Sequence, residues 1–238
     1  MGLFDLPAPL FDLIDAAMAN VLPAAARLAI WATVGALLTM FLYKALSPQS
    51  RIGTAKREAK DARRQLNEFD GDFADAGPLI KAQFVSAFRH VGLVVPGTLL
   101  AILPLLALLL WAETNYGRTL PADGQPPVIQ TVPEGVQTDW QSDVAPAHLL
   151  VSDDGGAIAD IEMSAPVGIV TKQPWWHWLA ENPLGYLPDD APVDQVHIEL
   201  PTLEVIPFGP SWMRSWLFVF IPVMFIVSLL IYKWAKIE

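Results

Sequence analysis

The side chains best suited to chemistry are scattered through this chain and match no catalytic pattern. The four histidines lie far apart, and the absence of cysteine excludes thiol catalysis, thiolate metal sites and disulfides. No HExxH, GxSxG or glycine-rich phosphate-loop sequence occurs. The carboxylates of DDGG, residues 153–156, lack the spacing and distal glutamate of a calcium loop, so a hairpin turn explains them better. We therefore expect no enzyme activity, no metal site and no cofactor.

Three long apolar segments must instead organise the chain. Its 238 residues are 53% hydrophobic and only 17% charged, a composition typical of membrane proteins. Uncharged runs cover residues 28–43, 91–111 and 216–232. An apolar helix of about 20 residues matches a hydrocarbon core roughly 30 Å thick. The sequence therefore predicts a mainly α membrane protein with three transmembrane helices.

The charges between these segments are distributed unevenly. Residues 47–90 hold eight basic and six acidic residues, whereas residues 114–211 hold two basic and fourteen acidic ones. Lysine and arginine close to a membrane span resist translocation. We therefore expect residues 47–90 and the tail that contains Lys233 and Lys236 to be cytoplasmic, and the N-terminus and the acidic segment to lie outside.

The basic segment 47–90 has a helical pattern in two arms. Apolar residues of the first arm follow a 3-4-3-4-3 spacing, and those of the second, Leu79 to His90, form a stripe that leads into the second span. Together they predict an antiparallel helical hairpin in the cytoplasm. The hairpin is either a solvated spacer or a surface that contacts anionic lipid, ribosomal RNA or a partner through Lys56, Lys60, Arg63 and Arg64. The heptad positions of the first arm are Ile52, Ala55, Ala59, Ala62, Leu66 and Phe69.

Residues 3–22 predict a short amphipathic helix on the outer leaflet, with Pro23 at the bend into the first span. The alternative is an N-terminal extension of that span. Asp12 and Asp15 lie off its apolar stripe, which consists of Leu10, Phe11, Ile14, Ala17, Met18 and Val21. Arg27 is the one charge near the interior of a span. Its guanidinium either snorkels back to the outer surface or faces a hydrated groove.

The acidic segment is rich in proline and contains short β-prone runs between turn signals, which predicts a small β-sandwich. The runs are 128–132, 148–152, 158–163, 167–171, 196–200 and 203–206. Between them, Trp175, Trp176 and Trp178 stand close together. We expect these indoles to contact the outer membrane interface or a neighbouring subunit, in preference to a sugar.

The order of these parts resembles the YidC/Oxa/Alb insertase superfamily. The sequences that carry the resemblance are FLYKALSPQSRIGTAKREAKDARRQL, residues 41–66, and WLFVFIPVMFIVSLLIYKWAKI, residues 216–237. The chain is most similar to the minimal three-span branch of archaeal and bacterial YidC-like proteins, which is related to the third subunit of the ER membrane protein complex. The similarity covers about residues 5–113 and 212–237, and the acidic insertion is additional to that branch.

The resemblance implies a function without bond chemistry. Such proteins bind a hydrophobic client segment in a groove between spans and assist its insertion or assembly, so the implied partners are lipid, other membrane proteins and the ribosome, and not DNA. The implied location is a prokaryotic inner membrane. The alternative is an accessory subunit that docks onto a larger membrane complex through its spans and outer domain. Candidate groove residues are Arg27, Thr33, Thr39, Thr98 and Ser228.

These expectations divide the chain into six parts. They are an outer amphipathic segment at 1–23, a first span at 24–46, the hairpin at 47–90, a second span at 91–112, an extracytoplasmic β-rich domain at 113–211, and a third span with a cytoplasmic tail at 212–238.

Overall fold

The computed structural model describes residues 2–122, 125–153 and 156–237, without the side chains of residues 73 and 74. About 54% of the chain is helical. Within the described residues, three helices are long and apolar enough to cross a membrane, as the sequence predicted. The chain is therefore a mainly α membrane protein. The helices are α1 (Ala8–Ala19), α2 (Ala24–Leu46), α3 (Gln49–Asn67), α4 (Gly77–Tyr116) and α5 (Trp216–Trp234), of which α2, α4 and α5 are the candidate spans.

The first two helices are separate. The chain leaves α1 at Asn20, whose side-chain amide donates to the carbonyls of Ala16 and Ala17, and re-enters a helix directly after Pro23. Proline at this point suits a helix start, because its missing N–H would have had no intrahelical acceptor. The N-terminal segment is thus not a continuous extension of α2.

The two basic arms form α3 and the first part of α4. The heptad positions are the least exposed face of α3, and Ile52 and Ala55 are buried. Phe69 was predicted to belong to this seam, which is wrong because the helix ends at Asn67 and the ring is exposed. Glu58 of α3 accepts a hydrogen bond from Arg89 of α4 at 2.9 Å. Helix α4 continues through Pro96 and Pro104 to Tyr116.

The acidic segment forms two antiparallel three-stranded sheets in its described part. One has the order β1-β6-β5 and the other the order β2-β3-β4. A single buried cluster takes side chains from both sheets, including Leu149, Val151, Val170 and Val196. The strands are β1 (Ile129–Val132), β2 (Gln137–Gln141), β3 (His148–Asp153), β4 (Gly156–Glu162), β5 (Ile169–Thr171) and β6 (Gln195–Ile198).

The strand predictions were wrong at two places. Strand β2 was not predicted, because its sequence, QTDWQ, has one apolar residue, Trp140, and therefore no alternating pattern. The strand lies at a sheet edge and pairs with β3 alone. Residues 203–206 do not form a strand, because prolines at 201 and 207 bound them and their amides bond to the carbonyls of Gly117 and Arg214. The predicted turn between β3 and β4 includes Asp154 and Gly155, which lie outside the described residues.

The chain divides into two compact units. The first unit consists of Met1–Ala29 and Leu106–Phe220 and contains both sheets, α1 and the end of α4. The second unit consists of Ile30–Leu105 and Ile221–Glu238 and contains α3 and most of the three candidate spans.

Candidate functional site

Arg27 in the first turn of α2 has a carboxylate partner in the preceding helix. Its Nη1 donates to Asp15 Oδ2, and the two side chains are only 17% and 12% exposed. Asp15 can reach Arg27 because the short turn at residues 20–23 folds α1 back towards the start of α2. Charges that are largely removed from water require an oppositely charged partner. The ion pair supplies that partner to both Asp15 and Arg27 within the first unit.

Tyr116 at the end of α4 completes this cluster. Its hydroxyl donates to Asp15 Oδ1 at 2.5 Å, so both carboxylate oxygens accept hydrogen bonds. The Arg27 guanidinium carbon lies 5.3 Å from the centre of the Tyr116 ring, which places the cation within the range of a cation–π interaction. Three segments that are distant in sequence are thereby held together by one carboxylate.

Helix α1 makes a second polar contact with α4. Trp111 Nε1 donates to Asp12 Oδ1 at 2.6 Å, and the Trp111 ring meets Phe11 edge-on with centroids 5.5 Å apart. Asp12 and Asp15 are three residues apart and therefore lie on one face of the helix. Other large apolar side chains of α1 are exposed, namely Leu10, Leu13 and Ile14. The helix thus turns its acidic face towards the protein and its leucines outwards.

These contacts bear on the two sequence-based interpretations of Arg27. Both treated its charge as available, either to lipid headgroups or to a client. The paired arrangement with Asp15 gives the charge a partner that neither interpretation considered. The guanidinium Nε is also buried without a hydrogen-bond partner among the described residues. Arg27 is therefore part of a structural cluster that fastens α1 to the start of α2 and the end of α4.

The second unit contains a cleft at which α2, α4 and the C-terminal region meet. The cleft has a volume of about 310 Å³, which is at the small end of the usual range for ligand pockets. Thr39 of α2 and Thr98 of α4, both predicted groove residues, line it. The Thr39 Oγ1 is buried and has no hydrogen-bond partner within the described residues, whereas Thr98 Oγ1 donates to the Val94 carbonyl at 3.0 Å. The other lining residues are Met40, Tyr43, Ala101, Ile102, Tyr232 and Ile237.

The remaining predicted groove residues do not line this cleft. Thr33 and Ser228 also belong to the second unit, and both are half-buried. Arg27 belongs to the first unit. Of the five candidates, the structure therefore brings Thr39 and Thr98 to one cavity.

The predicted contact residues of the basic arm are exposed. Lys60, Arg63 and Arg64 lie on the solvent side of α3, together with Lys56. Arg64 Nε lies 3.3 Å from Glu68 Oε1, an exposed pair at i,i+4 that stabilises the helix by only about 0.3–0.5 kcal/mol. The basic face of α3 is thus at the surface of the protein.

The three neighbouring tryptophans lie in a short 3-10 turn, Trp175–Trp178. Trp175 is 85% exposed and Trp178 is 60% exposed. Trp176 instead packs edge-on against His177, whose Nδ1 lies 2.9 Å from the Tyr186 hydroxyl. All three indoles are exposed, Trp175 and Trp178 more than Trp176, which is 46% exposed.

Sequence reasoning missed the residues that surround Arg27. Asp12, Asp15, Trp111 and Tyr116 were each visible, but their association depends on contacts between residues up to 101 positions apart. One signal could have identified Asp15: a lone arginine in an apolar run requires a counter-ion, and a helix with two carboxylates on one face lies just upstream.

No group of three or more potential metal ligands occurs among the described residues. Comparison of the chain with protein-family models, with curated proteins and with solved structures finds no match.

Proposed function

We propose that this membrane protein assists the insertion or assembly of other membrane proteins by binding apolar client segments, as the resemblance to the YidC/Oxa/Alb superfamily implies. In this proposal α3 and the first part of α4 form a cytoplasmic helical hairpin. The acidic segment forms a small β-sandwich outside the membrane. The distribution of lysine and arginine supports this orientation.

The observation that carries the proposal is the cleft containing Thr39. An apolar cavity that adjoins membrane-spanning helices suits side chains of a client helix, because neither requires water. The Thr39 Oγ1 is buried in the wall of the cleft and has no hydrogen-bond partner among the described residues, so it would bond to a polar group of the client once the client side chain displaces that wall. Such a bond would compensate part of the cost of moving that group into the bilayer.

Site-specific photocrosslinking tests the client site. A photoreactive residue in place of Ile102, which lines the cleft, is expected to crosslink to apolar segments of newly made membrane proteins. Leu99, one turn away on α4 and exposed but outside the cleft, is the matched control position. Thr39→Trp should fill the cleft and reduce crosslinking from position 102 severalfold. Equal client crosslinking from both positions, or no effect of Thr39→Trp, would contradict the proposal.

The second candidate function, that of an accessory subunit in a larger membrane complex, is favoured by the exposed tryptophans. Trp175 and Trp178 place two large indoles at the surface of the first unit, and tryptophan is enriched at the centres of protein interfaces. Charge pairing in the Arg27 cluster also favours a fixed subunit, since it leaves no free cation there for a passing client.

Copurification in mild detergent tests this alternative. The double variant Trp175→Ala/Trp178→Ala is expected to lose a stoichiometric partner, because a central interface tryptophan contributes about 2 kcal/mol or more to binding. Trp234→Ala removes an indole of similar exposure from the end of α5 and serves as the control. Retention of the same partner by the double variant would exclude docking through these indoles.

A further inference from the structure

A cleft of about 890 Å³ opens in the first unit beside the end of α4. Its walls come from the last turn of α4, from strands β5 and β6, and from the segment that contains the Trp175–Trp178 turn. Its volume falls within the range of small-molecule sites. No part of the client-binding proposal uses this cleft.

Both basic residues of the acidic segment line this cleft. Residues 114–211 contain Arg118 and Lys172 as their only lysine and arginine, and the two lie in the same cavity. Lys172 is neutralised by Asp194, with Nζ 2.9 Å from Oδ1. The Arg118 guanidinium makes no hydrogen bond or ion pair within the described residues. Arg118 is therefore a basic side chain of the acidic segment that has no ion-pair partner among the described residues.

Gly168 leaves space for the Arg118 guanidinium. A Cβ added at Gly168 would lie 2.8 Å from the Ile198 carbonyl oxygen and 3.2 Å from Arg118 Nη1. Any larger residue would therefore press on the sheet and on the guanidinium. The absence of a side chain at position 168 leaves Arg118 room beside β6.

Carboxylates line the same cleft. Glu113 is in the last turn of α4, and its Oε2 accepts a hydrogen bond from Trp216 Nε1, in the first residue of α5, at 2.9 Å. Glu181 lies in the segment that follows the tryptophan turn. Apart from the Lys172–Asp194 pair and Glu181, the cleft offers the positive Arg118 and the negative Glu113. A ligand of a single charge would meet a like charge, whereas a ligand that carries both charges would be complementary.

The apolar lining and the position of the cleft narrow the ligand class. Ile169, Trp176 and Pro183 add apolar walls, so a ligand with an apolar portion beside its polar head would fit. Glu113, which lines the cleft, and its hydrogen-bond partner Trp216 belong to two candidate spans. A group placed at the ends of two membrane helices is within reach of lipid headgroups.

We propose that this cleft binds the zwitterionic headgroup of a phospholipid with a primary amine, with the phosphate on Arg118 and the ammonium towards Glu113. Arginine suits the phosphate because its planar fork donates two parallel hydrogen bonds. The Glu113 carboxylate favours an ammonium with free N–H donors over a neutral glycerol headgroup. This inference stands independently of the client-binding proposal.

Calorimetric titration of the full chain in phosphatidylcholine nanodiscs tests it, with empty nanodiscs as blank. The probes are dihexanoyl phosphatidylethanolamine, dihexanoyl phosphatidylglycerol and free phosphoethanolamine. The ethanolamine lipid is expected to bind most tightly. Arg118→Gln should weaken its binding roughly tenfold or more, since a hydrogen bond to a charged group is lost. Arg118→Lys should retain part of the affinity, and Arg214→Gln, which removes a charge outside the cleft, should bind as the unaltered chain does.

Glu113→Gln, which can still accept the hydrogen bond from Trp216, should change the affinity for the two lipids in opposite directions. The substitution should weaken binding of the ethanolamine lipid, because its ammonium loses a carboxylate partner. It should strengthen binding of the glycerol lipid, because a negative charge that repels its phosphate is removed. Three results would overturn the proposal. The first is that the Arg118→Gln variant unfolds at the normal temperature and binds the ethanolamine lipid with unchanged affinity. The others are that the two lipids bind with equal affinity, or that free phosphoethanolamine binds as tightly as the ethanolamine lipid. The last result would identify a site for a soluble zwitterion.

Discussion

Replacing Asp15 with leucine is expected to lower the free energy of unfolding by about 3–5 kcal/mol, the usual cost of breaking a buried ion pair. The substitution leaves the Arg27 guanidinium largely buried without its carboxylate, and the Tyr116 hydroxyl loses its acceptor. Unfolding in mixed micelles with increasing sodium dodecyl sulfate, followed by circular dichroism, measures the change. The same substitution at Asp12 is the matched control on the same face of α1. It should cost about 1 kcal/mol, because only the hydrogen bond from Trp111 is lost.

A double-mutant cycle separates the ion pair from the packing. Arg27→Met alone should also destabilise the protein, because it leaves Asp15 with one hydrogen-bond donor fewer in a buried site. The double variant Asp15→Leu/Arg27→Met should recover most of the lost stability, since a buried ion pair exchanged for apolar residues of similar size is often neutral or better. Additive losses in the double variant would mean that the two residues act separately.

Replacing Gly97 with leucine is expected to lower the free energy of unfolding by about 1–3 kcal/mol through overpacking. Gly97 is buried in α4, where an added Cβ would lie 2.0 Å from Ser47 Oγ and 3.1 Å from Ser47 Cβ. The helix and the segment after α2 would have to separate. The same detergent titration measures the loss.

Gly92 provides the control for this prediction. It lies five residues earlier on α4, and an added Cβ there meets nothing within 4 Å. Gly92→Leu should leave stability unchanged or raise it by up to about 1 kcal/mol, because glycine is a poor helix former. Ser47→Ala should restore part of the stability of Gly97→Leu, since it removes the nearest atom. Equal effects at positions 92 and 97 would show that backbone entropy, and not the contact with Ser47, sets the cost.

Local pattern was sufficient for much of the fold. The length of the apolar runs identified the three candidate spans, and the 3-4 spacing identified α3. Alternating apolar residues marked strands such as β3, whose Leu149 and Val151 enter the core. Strand β2 was missed because an edge strand can be almost wholly polar when one neighbour supplies its hydrogen bonds.

The candidate sites depend on contacts that local pattern does not encode. Asp15 lies 12 residues from Arg27 and 101 residues from Tyr116, and the three meet only through tertiary folding. Arg118 and Lys172 entered the sequence analysis only as the two basic residues of an acidic segment, and both line one cleft. Spacing along the sequence does not reveal which surfaces the sheets and the end of α4 bring together.

The outward leucines of α1 have a consequence for the bilayer itself. If this short helix rests in the outer leaflet, as its exposed apolar face favours, it displaces acyl chains on one side and not on the other. Every copy of the protein then increases the area of the outer leaflet alone. The resulting difference in area between the two leaflets curves the membrane. At high density, copies of the protein would accordingly concentrate where the outer surface of the membrane is already convex.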